Sequence, residues 1–316
     1  MIVPYPNNLP KDRQWVISLG VFDGVHLGHQ AIFKELATVA KRFDAQSAAL
    51  FFTPNPKLVF HPQSGPMAIC APQQNIDLIH KEGIDTFIQF PFTKELSALS
   101  PMQFLDKYFF APQVPVKAFC VGENWRFGCN NTGDGNTLRE CCAPHGIEVH
   151  IVPSVILEGE PVSSTRIRKA ILDGKLELAH RLLGRPFTIV GNVSHGHHIG
   201  TTVLSCPTAN LSVAEHLIPP YGVYAARGRL ANGKTIDGIA YVGDAPTIRQ
   251  DGPPEIILEL HLFDFDGDLY DQPISIELYS FIRPSMKFDS PAALQHQIAL
   301  DIQKTKDILA VTTTQQ

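Results

Sequence analysis

Apolar residues follow two rhythms along this chain, and the change falls a little past its middle. Up to about residue 184, short β-branched or aromatic runs (15–19, 47–52, 85–90, 116–121 and 147–152) alternate with stretches whose apolar residues recur every three or four positions (30–42, 73–81, 101–110 opened by Ser100, and 136–142). The first kind reads as strands and the second as amphipathic helices, so their alternation predicts βαβ units and an α/β fold with a doubly wound parallel sheet. A helical pair over 165–172 and 176–183 follows, stopped by Gly174 and Gly184. Beyond it, strand-like runs crowd together at 187–193, 222–230, 237–242, 255–265 and 274–280, with Asn232-Gly233 and Asp266-Gly267 read as hairpin turns. That spacing predicts a small antiparallel β-barrel. A helix over 291–309, with Leu294, Ile298, Ile302 and Leu309 on one face, closes the chain before a tail expected to fray at 310–316. Two domains result, 1–184 and 185–316.

Composition agrees with two folded domains. The 316 residues are 44% hydrophobic and 18% charged, which excludes a disordered polyelectrolyte. Lys plus Arg is 26 against Asp plus Glu 31, a formal charge of -5, so no global basic field draws the chain to nucleic acid or to an anionic membrane. No stretch approaches the ~18 apolar residues of a membrane span, and the start lacks a basic segment followed by an apolar one; the expectation is a cytoplasmic protein. The six cysteines (Cys70, Cys120, Cys129, Cys141, Cys142 and Cys206) follow no zinc spacing and read as reduced thiols.

Ligands of doubly wound sheets bind beyond the carboxyl ends of the strands. There the first run passes into Gly20-Val21-Phe22-Asp23-Gly24-Val25-His26-Leu27-Gly28-His29 and then directly into a helix. Glycines let backbone approach an anion, the helix start offers unpaired N–H groups, and two imidazoles can donate to phosphoryl oxygens as charge builds. Neither Walker nor GxGxxG spacing is present. The run resembles the HxGH signature of the nucleotidyltransferase superfamily, in the form found in bacterial bifunctional riboflavin kinase/FAD synthetases. The resemblance implies that ATP gives its adenylyl group to FMN, with His26 and His29 on the ATP phosphates and Gly20, Phe22, Gly24 and Gly28 shaping the cradle. It extends to Phe52-Thr53-Pro54-Asn55-Pro56, to the flavin-side loop from Gly122 to Gly128 with Asn124 toward flavin, and to Ser163-Ser164-Thr165-Arg166-Ile167-Arg168. Within that last run Ser164, Thr165 and Arg168 are implied ATP contacts. Some family members carry Asp where Asn124 stands and Arg where Asn131 stands.

The second domain continues the resemblance. Cys206-Pro207-Thr208-Ala209-Asn210-Leu211 is similar to the PTAN motif of riboflavin kinases, which implies Thr208 and Asn210 as hard oxygen ligands for Mg2+ on ATP. Gly243-Asp244-Ala245-Pro246-Thr247, then Glu259, then Arg283 and Lys287-Phe288 follow in family order, with Arg283 implied on the flavin side. Glu259 stands in an apolar strand; facing inward, its pKa would rise toward that of a base for the riboflavin 5′-hydroxyl. Departures lie in the stretch from His195 to Ser205, which keeps Gly196 and Gly200 as implied ATP contacts but lacks the usual arginine and Gly-Phe pair, and at Asp271, where glycine is common. The expected function is riboflavin phosphorylation followed by FMN adenylylation to FAD, with riboflavin, FMN and ATP as small-molecule partners and Mg2+ as cofactor. The alternatives are an FMN adenylyltransferase with a weakened kinase, and a non-catalytic flavin-binding sensor.

Overall fold

Residues 15–19 form a strand buried along its whole length, because helices cover both faces of the sheet around it. The structure, a computed structural model, describes residues 1–61, 65–194, 209–212, 217–244 and 256–313. The chain divides into two units, Met1–Met67 with Pro72–Ser163, and Ala68–Ala71 with Ser164–Gln316.

The first unit runs β1 (Ile2–Val3), β2 (Trp15–Gly20), α1 (Leu27–Arg42), β3 (Gln46–Thr53), α2 (Pro56–Phe60), α3 (Pro72–Lys81), β4 (Thr86–Pro91), α4 (Lys94–Ser97), α5 (Pro101–Leu105), β5 (Val116–Gly122), α6 (Gly135–Cys142) and β6 (Glu148–Val152), then a small hairpin, β7 (Ile156–Leu157) and β8 (Glu160–Pro161). The sheet order is β1-β4-β3-β2-β5-β6 and every pairing in it is parallel, as the alternation predicts. Side chains alternate along β2: Trp15, Ile17 and Leu19 enter one core with Phe90, Phe104 and Phe119. Val16 enters the other with Phe33, Leu36 and Ala118. Two cores leave no exposed sheet face, which is why these strands are apolar throughout rather than at every second residue. Ser100 caps α5 in a capping box with Gln103, but the helix beyond Leu105 widens into a π-type turn over Asp106–Phe110. Cys120 and Cys142 are buried, and desolvation pushes both thiols up to about 12, so they are inert packing groups.

The second unit holds α7 (Ser164–Leu172), α8 (Leu176–Leu183), the strands β9 (Phe187–Ser194), β10 (Ala209–Ser212), β11 (Gly222–Leu230), β12 (Thr235–Asp244), β13 (Ile256–Leu262) and β14 (Pro273–Pro284), and the helix α9 (Pro291–Thr313). The six strands close an antiparallel barrel in the order β10-β13-β12-β11-β14-β9. Asn232-Gly233 turns β11 into β12 as expected, with Gly233 at φ 84°. Asp266-Gly267 does not make a hairpin: β13 and β14 are not neighbours, so this pair lies in a crossover. An Asp-Gly pair signals a tight turn but not which strands the turn joins. Asp271, where the family pattern has glycine, takes a left-handed φ of 59°, a conformation aspartate tolerates at modest cost.

The closing helix also differs from its expected stripe. It runs on to Thr313, past the predicted start of fraying, and its most buried positions are Asp301, Thr305 and Leu309. Two of those are polar, so apolar periodicity alone could not find the line. Asp301 is accepted into the interior because Arg283 of β14 pairs with it through Nε and Nη2, each at 2.8 Å, and Gln297 donates to its second oxygen at 2.9 Å. A second arginine, Arg227 of β11, bonds Asp237, the Tyr279 hydroxyl and the Leu309 carbonyl, holding the far end of the helix.

His180 of α8 donates Nε2–H to the Leu278 carbonyl at 2.8 Å, and desolvation pulls its pKa down to about 4. The unfolded chain takes up this proton near the ordinary histidine value of about 6.5, whereas the folded chain resists it, so its contribution to stability is present above that value and is lost as pH falls toward 4. Urea unfolding of the second unit should lose about 3 kcal/mol between pH 6.5 and 4 from this group, and His180→Gln should flatten that slope; an unchanged slope would contradict the assignment.

Candidate active site

β3, β2 and β5 lie side by side and parallel, so the loops at their carboxyl ends open along one edge of the sheet. From β2 the chain moves out to β3 and β4 on one side and later returns to β5 and β6 on the other. The β2–β5 junction is therefore the switch point at which such sheets bind ligands, and the glycine–histidine run leaves β2 there.

The backbone of this run is strained. Phe22 and Val25 adopt left-handed φ values of 49° and 38°, costing about 1–3 kcal/mol each and least natural for a β-branched valine. Packing enforces the shape: both side chains are buried in the core containing Phe33 and Leu36. Gly24, at φ 82°, donates its N–H to Asn75 Oδ1 at 2.9 Å, and Gln30 Nε2 donates to the Val25 carbonyl at 2.9 Å.

The turn delivers His26, 5% exposed, as the N-cap of α1. Its Nδ1 accepts the His29 backbone N–H at 3.3 Å, so the ring is assigned with its N–H at Nε2. Sequence periodicity starts the helix at Gln30, three residues late, because imidazole lies outside the usual set of capping side chains. His29 stacks on His26, ring centroids 3.6 Å apart and planes within 20°, and Phe22 meets His29 edge-on at 5.3 Å. Two glycines leave space for these rings: a Cβ on Gly28 would stand 3.1 Å from His26 Nδ1 and Cε1, and one on Gly20 would stand 2.6 Å from Phe22 Cζ. Both imidazoles thus gather where the α1 dipole is positive.

Neighbouring loops are fixed just as locally. After β3, Thr53-Pro54 is cis and Asn55 caps α2 by accepting Lys57 N–H at 3.0 Å, a helix that the prolines concealed in the sequence. After β5, Asn124 Nδ2 donates to Ser154 Oγ at 2.8 Å, while the Ser154 N–H donates to Glu123 at 3.2 Å. Trp125 stacks on Phe127 at 4.5 Å, and Asn130 and Asn131 both take left-handed φ. Ser164, Thr165 and Arg168 share the more exposed side of α7, a helix of the second unit whose buried side carries Ile167, Ala170 and Ile171.

On the barrel, register brings polar residues into one row. Asn210 of β10 is directly opposite Glu259 of β13, and Glu259 is opposite Tyr241 of β12. Leu258 and Leu260 on either side of Glu259 fill the barrel, so the carboxyl lies on the outer surface and not inward. It is half-buried there all the same, and desolvation raises its pKa above the ordinary glutamate range. His261 shares this outer face by alternation. Sequence reasoning named Glu259 but missed that β10 exists and pairs with it, since a four-residue strand gives no periodic signal. Arg283 is committed to Asp301. Gly196, Gly200 and Thr208 lie outside the described residues.

A strained turn with two stacked histidines lies in one unit and a carboxylate–amide row in the other. The family model described as FAD synthetase matches residues 9–166, and that described as riboflavin kinase matches 183–309. A bifunctional riboflavin kinase/FMN adenylyltransferase of Pseudomonas fluorescens is 34% identical over 96% of this chain and 96% of its own, and one of Listeria monocytogenes is 36% identical over 95% and 94%. A solved structure titled as a macrolide-efflux protein from Streptococcus pneumoniae superposes with a TM-score of 0.86 at 29% identity, over 97% of this chain and 98% of that one. Among the described residues no helix is long and apolar enough to cross a membrane. The chain belongs to the bifunctional riboflavin kinase/FMN adenylyltransferase family. Both halves match, so neither the single-activity nor the non-catalytic alternative is favoured.

Alanine in place of glycine in a first helical turn ordinarily stabilises by up to ~1 kcal/mol. Gly28→Ala should do the opposite here, displacing the His26 ring from its capping bond: FAD formation from FMN should fall at least tenfold while FMN formation from riboflavin holds. Parental FAD formation would contradict this geometry.

Proposed function

We propose how this bifunctional enzyme divides its two reactions over the chain. Riboflavin and ATP give FMN and ADP on the barrel, within 185–316; FMN and a second ATP give FAD and pyrophosphate at the strained turn, within 1–184. The stacked His26–His29 pair at the carboxyl end of β2 is the observation that carries the second assignment, and the Asn210–Glu259 pairing carries the first.

In adenylylation an FMN phosphate oxygen attacks the α-phosphorus of ATP as the bond to pyrophosphate breaks. Negative charge grows on the non-bridging and leaving oxygens, and preorganised imidazole donors act where it grows. His26 is proposed to act through Nε2, the ring nitrogen other than the one that accepts the His29 backbone N–H. Ser164, Thr165 and Arg168 are assigned to the triphosphate on motif order in the sequence alone. Asn124 spends an N–H on Ser154 and keeps its carbonyl for a donor such as a flavin imide.

In phosphorylation Glu259 removes the proton of the riboflavin 5′-hydroxyl as its oxygen bonds the γ-phosphorus and ADP leaves. A carboxyl with raised pKa is a stronger base than an ordinary glutamate. The Asn210 side-chain oxygen, beside a carboxylate, is the hard donor type that suits Mg2+, which keeps most of its ligands as water and phosphate. When bound, Mg2+ neutralises phosphate charge; Asn210 and Thr208 are the residues proposed to hold it.

Chromatography of flavins over time, from riboflavin plus ATP and separately from FMN plus ATP, separates the sites. His29→Ala should slow FAD formation about 100-fold, the cost of one transition-state donor, and leave FMN formation intact. Glu259→Gln should do the reverse. Equal loss of both activities in either variant would refute separate sites. Glu259 must be deprotonated to act, so kcat/KM for FMN formation should fall on the acid side with an inflection above the ordinary glutamate range. The same raised pKa means that ionised Glu259 opposes folding at neutral pH, so Glu259→Gln should melt no lower than the parent; a clear drop in Tm would count against a desolvated base.

A further inference from the structure

The row through Glu259 continues past the two residues assigned to chemistry. Tyr241 is opposite Glu259 on β12, Val223 of β11 is opposite Tyr241, and Arg283 of β14 is opposite Val223. Asn210 flanks Glu259 on one side and Tyr241 on the other. In-line transfer sets the attacking and leaving oxygens on opposite faces of the transferred phosphorus, with the base beside the attacking oxygen, so nucleotide and acceptor approach the base from opposite sides. If the nucleotide and its metal lie on the Asn210 side, the acceptor alcohol and its attached ring lie on the Tyr241 side.

Tyr241 is held there at several points. Its ring packs on the apolar cluster of Val223, Ala225, Ile282 and Leu309. The ring also folds back over Gly243, where a Cβ would stand 2.5 Å from Cζ and 2.7 Å from Cε1, so a side chain there would displace the ring from this position. The phenol oxygen is 3.0 Å from Ser285 Oγ, in the segment that follows β14. That segment is fixed at its root: Arg283, clamped by buried Asp301, donates Nη1 to the Pro284 carbonyl at 3.0 Å and places its guanidinium 5.6 Å from the Phe288 ring. Tyr241 is therefore a strut between the strand position next to the base and a segment anchored to α9.

We propose that Tyr241, through its hydroxyl on Ser285, is a positioning residue for the flavin substrate of the kinase reaction: it holds the segment after Arg283 as the wall against which the ring rests while the 5′-hydroxyl meets Glu259. The flat phenol ring over an apolar bed, beside a polar row, suits an aromatic ring system bearing a polar chain. On this account Arg283 and Asp301 act through the wall. The inference rests on Glu259 marking the kinase site.

Tyr241→Phe keeps the ring and removes only the strut bond, and Ser285→Ala removes the same bond from its other end. In the full-length enzyme each should raise KM for riboflavin about five- to tenfold, the size of one hydrogen bond lost, with kcat for FMN formation changing less than twofold and KM for ATP unmoved. The double variant should be no worse than either single, since both delete one interaction. FAD formation from FMN and Tm should stay as in the parent. An unchanged riboflavin KM in both singles, additive losses in the double, or parallel loss of adenylylation and Tm would each overturn the proposal. Glu259→Gln in the same assay tells the two failures apart: persistent FMN formation there removes the site itself, whereas its loss together with a silent Tyr241→Phe removes only the strut.

Discussion

One imidazole nitrogen organises the turn that follows β2. By accepting the backbone N–H of His29, Nδ1 of His26 starts α1 three residues earlier than the apolar periodicity would, and the same bond commits the ring's proton to Nε2. A helix start, a tautomer and the stacking of a second histidine follow from that contact. It can form only because Phe22 and Val25 are held in backbone conformations that neither would choose. Their burial supplies the compensation: a fully buried Phe or Val side chain contributes about 1.5–3 kcal/mol, comparable with the strain of its own backbone. The parallel sheet with a core on each face is what makes such burial available at the end of β2.

The barrel solves a different problem. The general base proposed here must be desolvated enough to be basic yet open to its substrate, and a position inside a six-stranded barrel would meet the first need and not the second. Glu259 sits on the outer face between Leu258 and Leu260, which belong to the interior, and its surroundings are dry enough to raise the pKa. Antiparallel register then sets its neighbours without any further motif, Asn210 to one side and Tyr241 to the other. The polar residues buried under α9 serve the same surface, since Arg283 with Asp301 and Arg227 with the Leu309 carbonyl hold the helix that borders it.

Most of the element order was legible in the sequence because buried parallel strands and amphipathic helices announce themselves by period. What escaped has physical causes. β10 is too short to show a period, α2 hides behind prolines that serve as a helix start, and Asp301 and Thr305 break the apolar stripe of α9 because a partner arginine, remote in sequence, makes a buried carboxylate acceptable. Asp266-Gly267 carries a turn signal but not the identity of the strands it joins, and closure of the barrel decided that. For the proposed sites, residue types and motif order single out His26, His29, Asn210 and Glu259. The cap bond, the outward face of Glu259 and the Tyr241 strut depend on register and on packing between distant segments, which no local pattern encodes.

The central claim is that His26 caps α1 through Nδ1 and serves the phosphates of ATP through Nε2. Long-range 1H–15N correlation spectra of the imidazoles, with and without a non-hydrolysable ATP analogue, test it directly. The account predicts an unprotonated Nδ1 and a protonated Nε2 for His26 near pH 7 in the free enzyme, with the Nε2 resonance shifting as the nucleotide binds. A proton on Nδ1, or His26 signals indifferent to saturating nucleotide, would contradict it.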